Sequence, residues 1–420
     1  MNNGGVGLQT PGAALLVLED GMVFAGEPFG ARGTTVGEVV FNTSMTGYQE
    51  ILTDPSYHRQ IVAMTAPHIG NYGTNAQDDE SDRAWAAGFC TRSASPVASN
   101  WRSTATLDEY LNEARVVSIT ELDTRALVRH VRERGAMRAA LSNVGLAAGE
   151  LLAMARSAPN MNGLDLCREV TCDRPYVWSD AGGLIGDGPT SGGAIASGSI
   201  AHGSITDGPI TAVGSLSGFP GESSSSSDGP RGGALFNVVA LDFGIKRNAL
   251  RRLARRGCRV TVLPATSTAE QVLGLQPDGV FLSSGPGDPA AVTYAHETIR
   301  GLLGRVPIFG ICMGHQLMAL ALGGRTYKLK FGHRGGNQPV RVDGRVEISA
   351  HNHGFAVDAA SLPASVQVSH LNLNDGCVEG LRVPDLDAFS VQYHPEAAPG
   401  PHDSDGLFDA FADLMGRRRR

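Results

Sequence analysis

A glycine- and serine-rich stretch from Ala181 to Gly233 limits how this 420-residue chain can fold. It contains three copies of Asp-Gly-Pro and a run of five serines from Ser223 to Ser227. A segment so poor in apolar residues cannot bury enough surface to offset the conformational entropy lost on folding. The stretch therefore predicts a flexible linker or insertion that separates two folded halves. We place the domains at 1–165 and 235–420, with the linker at 166–234.

Composition agrees with a globular protein of two domains. Hydrophobic residues make up 42% of the chain and charged residues 18%, and the length exceeds the usual size of one core. The net charge of −7 gives no reason to expect a nucleic-acid partner. No segment approaches the roughly 20 apolar residues of a membrane span, so we expect no membrane partner and a cytoplasmic protein. The six cysteines form no disulfide framework, and the Cys167/Cys172 pair lacks a second pair of zinc ligands.

Apolar runs in the C-terminal half alternate with helical patterns. The runs Phe236–Leu241, 279–282 and 307–311 are apolar on both faces, and one helical pattern extends from about Lys246 to Arg256. This alternation predicts an α/β domain whose mostly parallel sheet is covered by helices on both sides. Ligands bind such sheets at the carboxyl ends of the strands, where Cys312 lies.

The N-terminal half is less regular. Its short β-like runs are separated by turn residues, and one helical pattern extends from about Leu122 to Glu133, with Thr120 as the candidate cap. We predict a mixed, β-rich α/β domain. The β-like runs are 14–18, 36–41, 60–63 and 116–119.

Cys312 has the sequence context of a nucleophile. Gly310 and Gly314 stand two residues before and after it, between an apolar strand and a helical pattern. Small residues at this spacing allow the sharp turn that lifts a nucleophile out of a sheet. Free N–H groups at the start of the helix favour the thiolate, which is the reactive form. The alternative is a small buried hydrophobic residue, which the strand, glycines and helix together disfavour.

A base for this thiol is predicted at His394, followed by Pro395 and Glu396. Proline disfavours helix at the preceding residue, and residues i and i+2 of an extended segment project to the same side. Glu396 can therefore orient His394 and leave its other ring nitrogen for Cys312. His315 is the competing base, but at the start of a helix it would point away from the thiol.

The loop Ser283–Pro289 follows another predicted strand at the same edge of the sheet. Two glycines between prolines suit neither helix nor strand, so their amides are free to donate. Gly285 or Gly287, together with the amide of Met313, could form an oxyanion hole. An ordinary turn between strand and helix is the alternative.

Metal and nucleotide sites are not predicted. His351 and His353 have no Asp, Glu or Cys cluster close in sequence, and Gly354-Phe355 resembles a turn, so we predict no metal site. The chain has neither a P-loop nor a strand followed by G-x-G-x-x-G. An ATP site is therefore not evident, and any step that consumes energy is expected on another polypeptide.

The three motifs around Cys312, Gly285 and His394 together resemble the class I glutamine amidotransferases over the chain from about Phe236 to its end. Four further segments resemble the family of small subunits of glutamine-hydrolysing carbamoyl-phosphate synthases. These segments are 41–57, 67–75, 241–246 and 331–337. The resemblance covers nearly all residues outside the linker.

The resemblance implies that Cys312 attacks the side-chain amide of L-glutamine, with His394 as base and acid and Glu396 as its orienting partner. It implies no cofactor in this chain. Domain 1–165 would contact a large subunit that uses the ammonia, bicarbonate, Mg and two ATP to make carbamoyl phosphate for arginine and pyrimidine synthesis, in a heterodimer that can assemble further. The alternatives are the amidotransferase component of another glutamine-dependent synthase and a non-catalytic subunit. The implied glutamine-binding residues are Ser56, Gly285, Gly287, Met313, Gln316, Asn352, Gly354 and Phe355.

Overall fold

The structure is a computed structural model that describes residues 13–179, 183–185 and 236–419. Most of the predicted linker, Ala181 to Gly233, lies outside the described residues. The N-terminal and C-terminal halves each form their own sheet.

Seven strands of the N-terminal half close into a barrel. They are β1 (Ala14–Leu18), β2 (Val23–Gly30), β3 (Thr34–Asn42), β4 (Gln60–Met64), β5 (Gly88–Cys90), β6 (Val117–Thr120) and β7 (Met137–Ser142). Their order around the barrel is β1-β2-β6-β5-β4-β3-β7. The pairs β3/β4, β4/β5 and β5/β6 are parallel and the others antiparallel. Alternate apolar residues, such as Leu16, Ile61 and Leu141, fill the interior.

Helices cover the outside of this barrel. They are α1 (Tyr48–Thr53), α2 (Leu107–Glu113), α3 (Thr124–Arg134) and α4 (Ala148–Ser157), with a 3-10 turn at Pro55–Tyr57. The short α5 (Cys167–Val170) follows them in the chain and contributes Cys167 to a core of the C-terminal half. The predicted cap of α3 was wrong. Thr120 ends β6, and Asp123 caps the helix by accepting a hydrogen bond from the Ala126 N–H at 2.9 Å. The chain turns between Thr120 and Asp123 through Glu121, which has a positive φ of 54°.

The sheet of the C-terminal half contains eleven strands among the described residues. They are β8 (Tyr176–Ser179), β9 (Gly183–Ile185), β10 (Phe236–Asp242), β11 (Cys258–Pro264), β12 (Gly279–Leu282), β13 (Ile308–Ile311), β14 (Thr326–Val342), β15 (Arg345–Val357), β16 (Gln367–Asn372), β17 (Val378–Val383) and β18 (Ala388–Val391). Their order across the sheet is β15-β14-β16-β17-β18-β13-β12-β10-β11-β8-β9. The five central strands, β18 to β11 in that order, are parallel, as the apolar runs predicted. The flanking strands are antiparallel, and the sequence had not predicted them.

Helices pack on both faces of the parallel strands, which confirms the predicted α/β layers. They are α6 (Arg247–Arg255), α7 (Ala269–Gly274), α8 (Thr293–Leu302), α9 (Met313–Ala321) and α10 (Gly406–Arg418). One apolar core contains Leu282 and Leu317, and the other contains Phe309 and Phe411. In the described part of the chain, no helix has both the length and the apolar content needed to cross a membrane.

Part of the predicted linker at 166–234 is regular structure. Helix α5 lies in this stretch, and β8 pairs antiparallel with β11 at the edge of the C-terminal sheet. The Cys172 N–H donates to Asp242 Oδ2 at 2.8 Å, which fixes the segment against the end of β10. This stretch therefore packs onto the C-terminal domain.

The two halves meet through buried polar contacts beside the carboxyl ends of the parallel strands. Glu80 of the barrel half is 1% exposed, and its Oε2 accepts from the Asn248 N–H at 2.9 Å at the start of α6. Asp54 accepts a hydrogen bond from the Asn352 side chain on β15 at 3.1 Å. These contacts place the 3-10 turn of the barrel half directly over the C-terminal sheet.

Candidate active site

Cys312 occupies a strained turn between β13 and α9. Its φ of 53° and ψ of −100° are unusual for a non-glycine residue. A Cβ on Gly314 would lie 2.3 Å from the Leu282 carbonyl oxygen, and one on Gly310 would lie 2.9 Å from the Gly314 backbone. Only glycine fits at either position, which explains why glycines stand two residues before and after Cys312. The Cys312 N–H donates to the Val391 carbonyl at 2.8 Å and secures the turn.

His394 and Glu396 lie side by side, as their spacing predicted. His394 Nδ1 is 2.7 Å from Glu396 Oε1, and both side chains are almost completely buried. On its other side, Glu396 Oε1 is 3.2 Å from Nζ of Lys246, which is also buried. Lys246 donates in addition to the Ala397 carbonyl oxygen. The Glu396 carboxylate therefore lies between the Lys246 ammonium and the His394 imidazole and contacts both.

The buried charges of Lys246, His394 and Glu396 shift the pKa values of the two residues that form the pair, Glu396 and His394. Burial alone would raise the pKa of Glu396, but the charges of Lys246 and His394 lower it to about 2. Burial alone would lower the pKa of His394, but Glu396 and the neighbouring Cys312 raise it to about 10. His394 therefore holds a proton firmly at neutral pH.

The thiol and imidazole are neighbours but do not form a hydrogen bond of ordinary geometry. Cys312 Sγ donates to the Asn352 carbonyl oxygen at 3.6 Å. Nε2 of His394 is buried and has no hydrogen-bond partner among the described residues. Bonds between a nucleophile and its base are often long in ligand-free sites and shorten when substrate binds. Nε2 is the atom that can exchange a proton with the thiol.

A cavity opens in front of Cys312, and all eight residues implied as glutamine ligands line it. Seven of them come from the C-terminal half. The eighth, Ser56, lies in the 3-10 turn of the barrel half, where it is 4% exposed and its Oγ lacks a partner among the described residues. The barrel half thus forms one wall of the cavity.

Free amide groups face the same region. The N–H groups of Gly285 and Met313 donate no hydrogen bond within the described residues. A Cβ at Gly285 would lie 2.1 Å from the Phe243 carbonyl oxygen, so only glycine fits there. Gly287 has a left-handed φ of 94°. The loop is thus a glycine-dependent backbone surface beside the thiol, as an oxyanion hole requires.

Gln316 is held on the cavity wall by its own amide. Its Nε2 donates to the Phe355 carbonyl oxygen at 2.8 Å and to Gln392 Oε1 at 2.9 Å. This fixes the side chain and leaves its Oε1 as an acceptor. His315, the competing base, instead lies 2.9 Å from the Ser390 hydroxyl through its Nδ1. Burial lowers the pKa of His315 to about 3, so it is neutral.

Comparisons with known proteins agree with both halves of the molecule. Residues 16–141 match the family model described as carbamoyl-phosphate synthase small chain, CPSase domain, and residues 239–414 match glutamine amidotransferase class-I. A carbamoyl phosphate synthase small chain of Syntrophotalea carbinolica is 52% identical over 97% of this chain and 99% of its own. The chain belongs to the carbamoyl phosphate synthase small chain family.

Two further relatives show how widely the similarity extends. The small chain of Salmonella typhimurium is 48% identical over 97% of this chain and 98% of its own. The one from Oryza sativa, named chloroplastic, is 50% identical over 97% of this chain and 83% of its own. The similarity to this family therefore covers the barrel half and the amidotransferase half together.

Sequence reasoning missed several residues of this family member's site. The most important of these residues is Lys246, which forms an ion pair with Glu396 although it lies 150 positions earlier in the chain. Arg334 has a buried guanidinium, and no carboxylate pairs with it in the described residues. Arg334 lies in the segment Phe331–Asn337, which carries part of the family resemblance, and Lys246 is one of only three lysines. The other cavity-lining residues that were not predicted are Glu38, Gln60, Met161, Pro286 and His353.

The prediction of a turn at Gly354-Phe355 was wrong. Both residues, together with His351 and His353, lie in the long strand β15. No acidic cluster lies close to these histidines in sequence, but the fold brings Glu379 of β17 to 3.6 Å from His351 Nδ1. In this region the residues that contact each other in space are far apart in the chain, because the pairing of strands in the sheet brings them together.

Proposed function

We propose that this chain hydrolyses L-glutamine at Cys312 and delivers the ammonia to the large subunit of a carbamoyl phosphate synthase. The observation that carries the proposal is the strained Cys312 beside His394, inside a cavity lined by all eight implied glutamine ligands. The match of residues 16–141 to the small-chain domain favours this role over an amidotransferase of another synthase. The buried His394–Glu396–Lys246 group disfavours a non-catalytic subunit.

The first half of the reaction forms a thioester. Nε2 of His394 already carries the thiol proton at neutral pH, and Sγ attacks the side-chain amide carbon of glutamine. The oxygen that becomes negative accepts hydrogen bonds from the amides of Met313 and Gly285. His394 then returns the proton to the amide nitrogen, the C–N bond breaks, and ammonia leaves.

The second half restores the enzyme. His394 removes a proton from water, which attacks the thioester carbon, and the C–S bond breaks to release glutamate and the thiolate. Glu396 keeps Nδ1 of the imidazole protonated throughout, so only Nε2 exchanges protons with the reactants. The raised pKa of His394 suits the step in which it must hold a proton for the leaving nitrogen.

The other steps of carbamoyl phosphate synthesis would take place on the large subunit of the complex. The large subunit would supply the sites for ATP, Mg and bicarbonate and would make carbamoyl phosphate for arginine and pyrimidine synthesis. This chain needs no cofactor of its own for the hydrolysis, since thiol and imidazole provide the nucleophile and the base. We also propose a cytoplasmic location and a heterodimer as the basic assembly.

Replacing Cys312 with serine tests the proposal. In the complex, Cys312→Ser should lower glutamine-dependent synthesis of carbamoyl phosphate by at least about 10³-fold, since loss of a covalent nucleophile has effects of this size or more. Synthesis from added ammonium salt should remain, because it bypasses this chain. Retained glutamine-dependent synthesis, or loss of both activities in a folded complex, contradicts the role of Cys312. Carbamoyl phosphate formed only after the large subunit is added separates this function from that of another synthase.

A further inference from the structure

Four buried side chains converge between β14, β15 and β17 beside the cavity, which one of them, His353, also lines. They are His333, His351, His353 and Glu379, and one candidate ligand atom from each lies within 4.8 Å of the others. Each residue is at most 9% exposed. His333 and His353 are direct partners in the β14/β15 register, and His351 follows two positions away on the same face of β15. The mechanism above uses none of these four side chains.

The outer nitrogen of each imidazole faces a hydrogen-bond acceptor. His353 Nδ1 is 2.8 Å from the Phe355 carbonyl oxygen, which can only accept. His333 Nε2 is 2.9 Å from Asp375 Oδ2. His351 Nε2 is 2.8 Å from the Ser349 hydroxyl, which itself donates to the Gln338 carbonyl. With the outer nitrogens protonated, the inner nitrogen of each neutral ring has a lone pair available to the cluster. At His333 this nitrogen, Nδ1, also lies 3.4 Å from the side-chain amide of Asn372, which an ion would displace.

Four of the six distances between the inner atoms are 3.3 to 4.0 Å, and the other two, from His333 to His351 and His353, are within 4.8 Å. Nδ1 of His351 and Nε2 of His353 are 3.3 Å apart. Glu379 Oε1 lies 3.5, 3.6 and 4.0 Å from the inner nitrogens of His333, His351 and His353. Bonds of about 2.0–2.1 Å to a central zinc ion place tetrahedral ligands about 3.3 Å apart, so the cluster needs only small movements to close on an ion.

Glu379 provides an independent sign that a cation is needed. It is 0% exposed, and its Oε2 has no hydrogen-bond partner among the described residues. Its Oε1 accepts one hydrogen bond, from the Asn372 side chain at 2.9 Å. A buried carboxylate with one oxygen unpaired is costly unless a positive charge compensates it.

We propose that His333, His351, His353 and Glu379 bind one divalent transition-metal ion of the zinc class. Three imidazoles and one carboxylate are a donor set that suits Zn²⁺ and disfavours Mg²⁺ and Ca²⁺, which prefer oxygen ligands. With all four positions taken by protein, the ion has a structural role. It ties β14, β15 and β17 together next to Asn352 and Phe355, which line the cavity.

The alternative to a bound metal ion is a network of hydrogen bonds among the same side chains. In it, the Ser349 hydroxyl donates to His351 Nε2, and His351 Nδ1 donates to His353 Nε2, which fills the space between the two rings without a metal. The same heavy-atom distances fit this arrangement. The two arrangements differ in metal content and in the consequence of removing Glu379.

The test measures metal in the full-length chain with Cys312→Ala as the background, so that the active-site thiol and His394 cannot hold an ion. Protein produced in zinc-supplemented medium and purified without a histidine tag or chelator should contain about one zinc per chain by elemental analysis, as a closed structural site would. After replacement by Co²⁺, visible absorption should show a tetrahedral site without a thiolate charge-transfer band. A folded background protein without stoichiometric zinc overturns the proposal.

Variants identify the ligands. Glu379→Gln and His351→Gln should each lower Zn²⁺ affinity by more than about 100-fold, since even a partner behind a ligand changes affinity by about 10–100-fold. His370→Gln, at a buried histidine of β16 outside the cluster, is the matched control and should keep its zinc. If one ligand variant fails to fold, the other decides the outcome. Wild-type zinc content in a folded ligand variant overturns the proposal.

The second possible ligand group shares His333 and must be distinguished. Asp375 and Cys377 also lie near His333. Cys377→Ala should leave zinc bound, and the Co²⁺ spectrum should not change. Loss of zinc in Cys377→Ala with retention in Glu379→Gln would assign the ion to that group and refute the site formed by Glu379 and the three histidines.

Discussion

Two buried glutamates in the C-terminal half have histidine partners but different surroundings. Glu396 contacts both His394 and Lys246, whereas Glu379 faces three imidazoles and no lysine or arginine pairs with it in the described residues. Burial raises the pKa of Glu379, and the nearby His333 offsets only part of this effect. The pKa of Glu396 instead falls to about 2, because two positive charges outweigh its burial.

The difference shows what one buried lysine does in this fold. With Lys246 present, the carboxylate stays ionised and can keep its histidine protonated for catalysis. Without such a group, the carboxylate must share protons with its histidines or bind a metal ion. Because each cluster pairs a buried glutamate with histidine, the substitution of glutamate by glutamine can be made in both and its effects measured side by side.

The largest expected effect is that of Glu396→Gln on glutamine hydrolysis. An amide at this position cannot hold the imidazole in the required tautomer, and kcat should fall by about 10⁴-fold, as when an orienting carboxylate is lost from a catalytic triad. Glu379→Gln, which removes an equally buried carboxylate, should change kcat by less than about 10-fold, because it does not touch the reacting groups. Steady-state ammonia release measures both. Equal losses in two folded variants would mean that the two glutamates do not have separate roles.

Lys246→Met should make the surroundings of Glu396 resemble those of Glu379. We expect kcat to fall by about 10²-fold, at the low end of the contribution of general acid–base catalysis, and the protein to lose about 3 kcal/mol of stability, since breaking a buried ion pair leaves a charge uncompensated. Glutaminase assays and urea unfolding measure the two effects. Lys330→Met, at an exposed lysine of β14, is the control. An unchanged kcat would show that Glu396 does not depend on Lys246.

The His394–Glu396 pair also predicts a pH dependence of stability. The pKa of His394 rises from 6.5 to about 10 on folding, so its contribution is complete below pH 6.5 and is lost as the pH rises toward 10. The pKa of Glu396 falls from 4.5 to about 2, so its contribution is complete above pH 4.5 and is lost as the pH falls toward 2. The stability gap between wild type and Glu396→Gln should therefore shrink between pH 6.5 and 10, by an amount on the order of 3 kcal/mol. Urea unfolding at pH 6 and 9.5 measures it, and a constant gap would contradict the ion pair.

Local patterns in the sequence predicted the turn at Cys312 and the pairing of His394 with Glu396. The causes act within a few residues: Gly310 and Gly314 make room for the turn at Cys312, and the i and i+2 spacing puts His394 beside Glu396. The parallel strands were predictable for the same reason, because continuous apolar runs mark strands that are buried on both faces.

Features that depend on long-range pairing were not predictable from the residues alone. Lys246 reaches Glu396 because α6 begins beside the segment that follows β18, 150 positions away in the chain. His351 has no acidic neighbour in sequence, but the order β15-β14-β16-β17 brings in Glu379. The predicted cap of α3 was wrong by only three positions, because Asp123 caps the helix in place of Thr120. Such contacts depend on the register between strands and on the lengths of the connections between them. A local sequence pattern predicts neither.

Glu80, a third buried glutamate, lies near both Lys246 and Arg251, and its substitution should have only a small effect. Burial raises the pKa of Glu80 to about 6 despite the charges of Lys246 and Arg251, so the folded protein holds this proton more tightly than the unfolded chain. Ionisation of Glu80 therefore lowers stability as the pH rises from 4.5 through 6. Glu80→Gln keeps an acceptor for the Asn248 N–H and cannot ionise. It should gain about 1.5 kcal/mol relative to wild type between pH 4.5 and 7, the change that a rise of the pKa from 4.5 to about 6 implies. Urea unfolding at the two pH values measures this change. A relative loss at pH 7 would mean that the Arg251 pair outweighs burial, and that Glu80 belongs with Glu396 instead of Glu379.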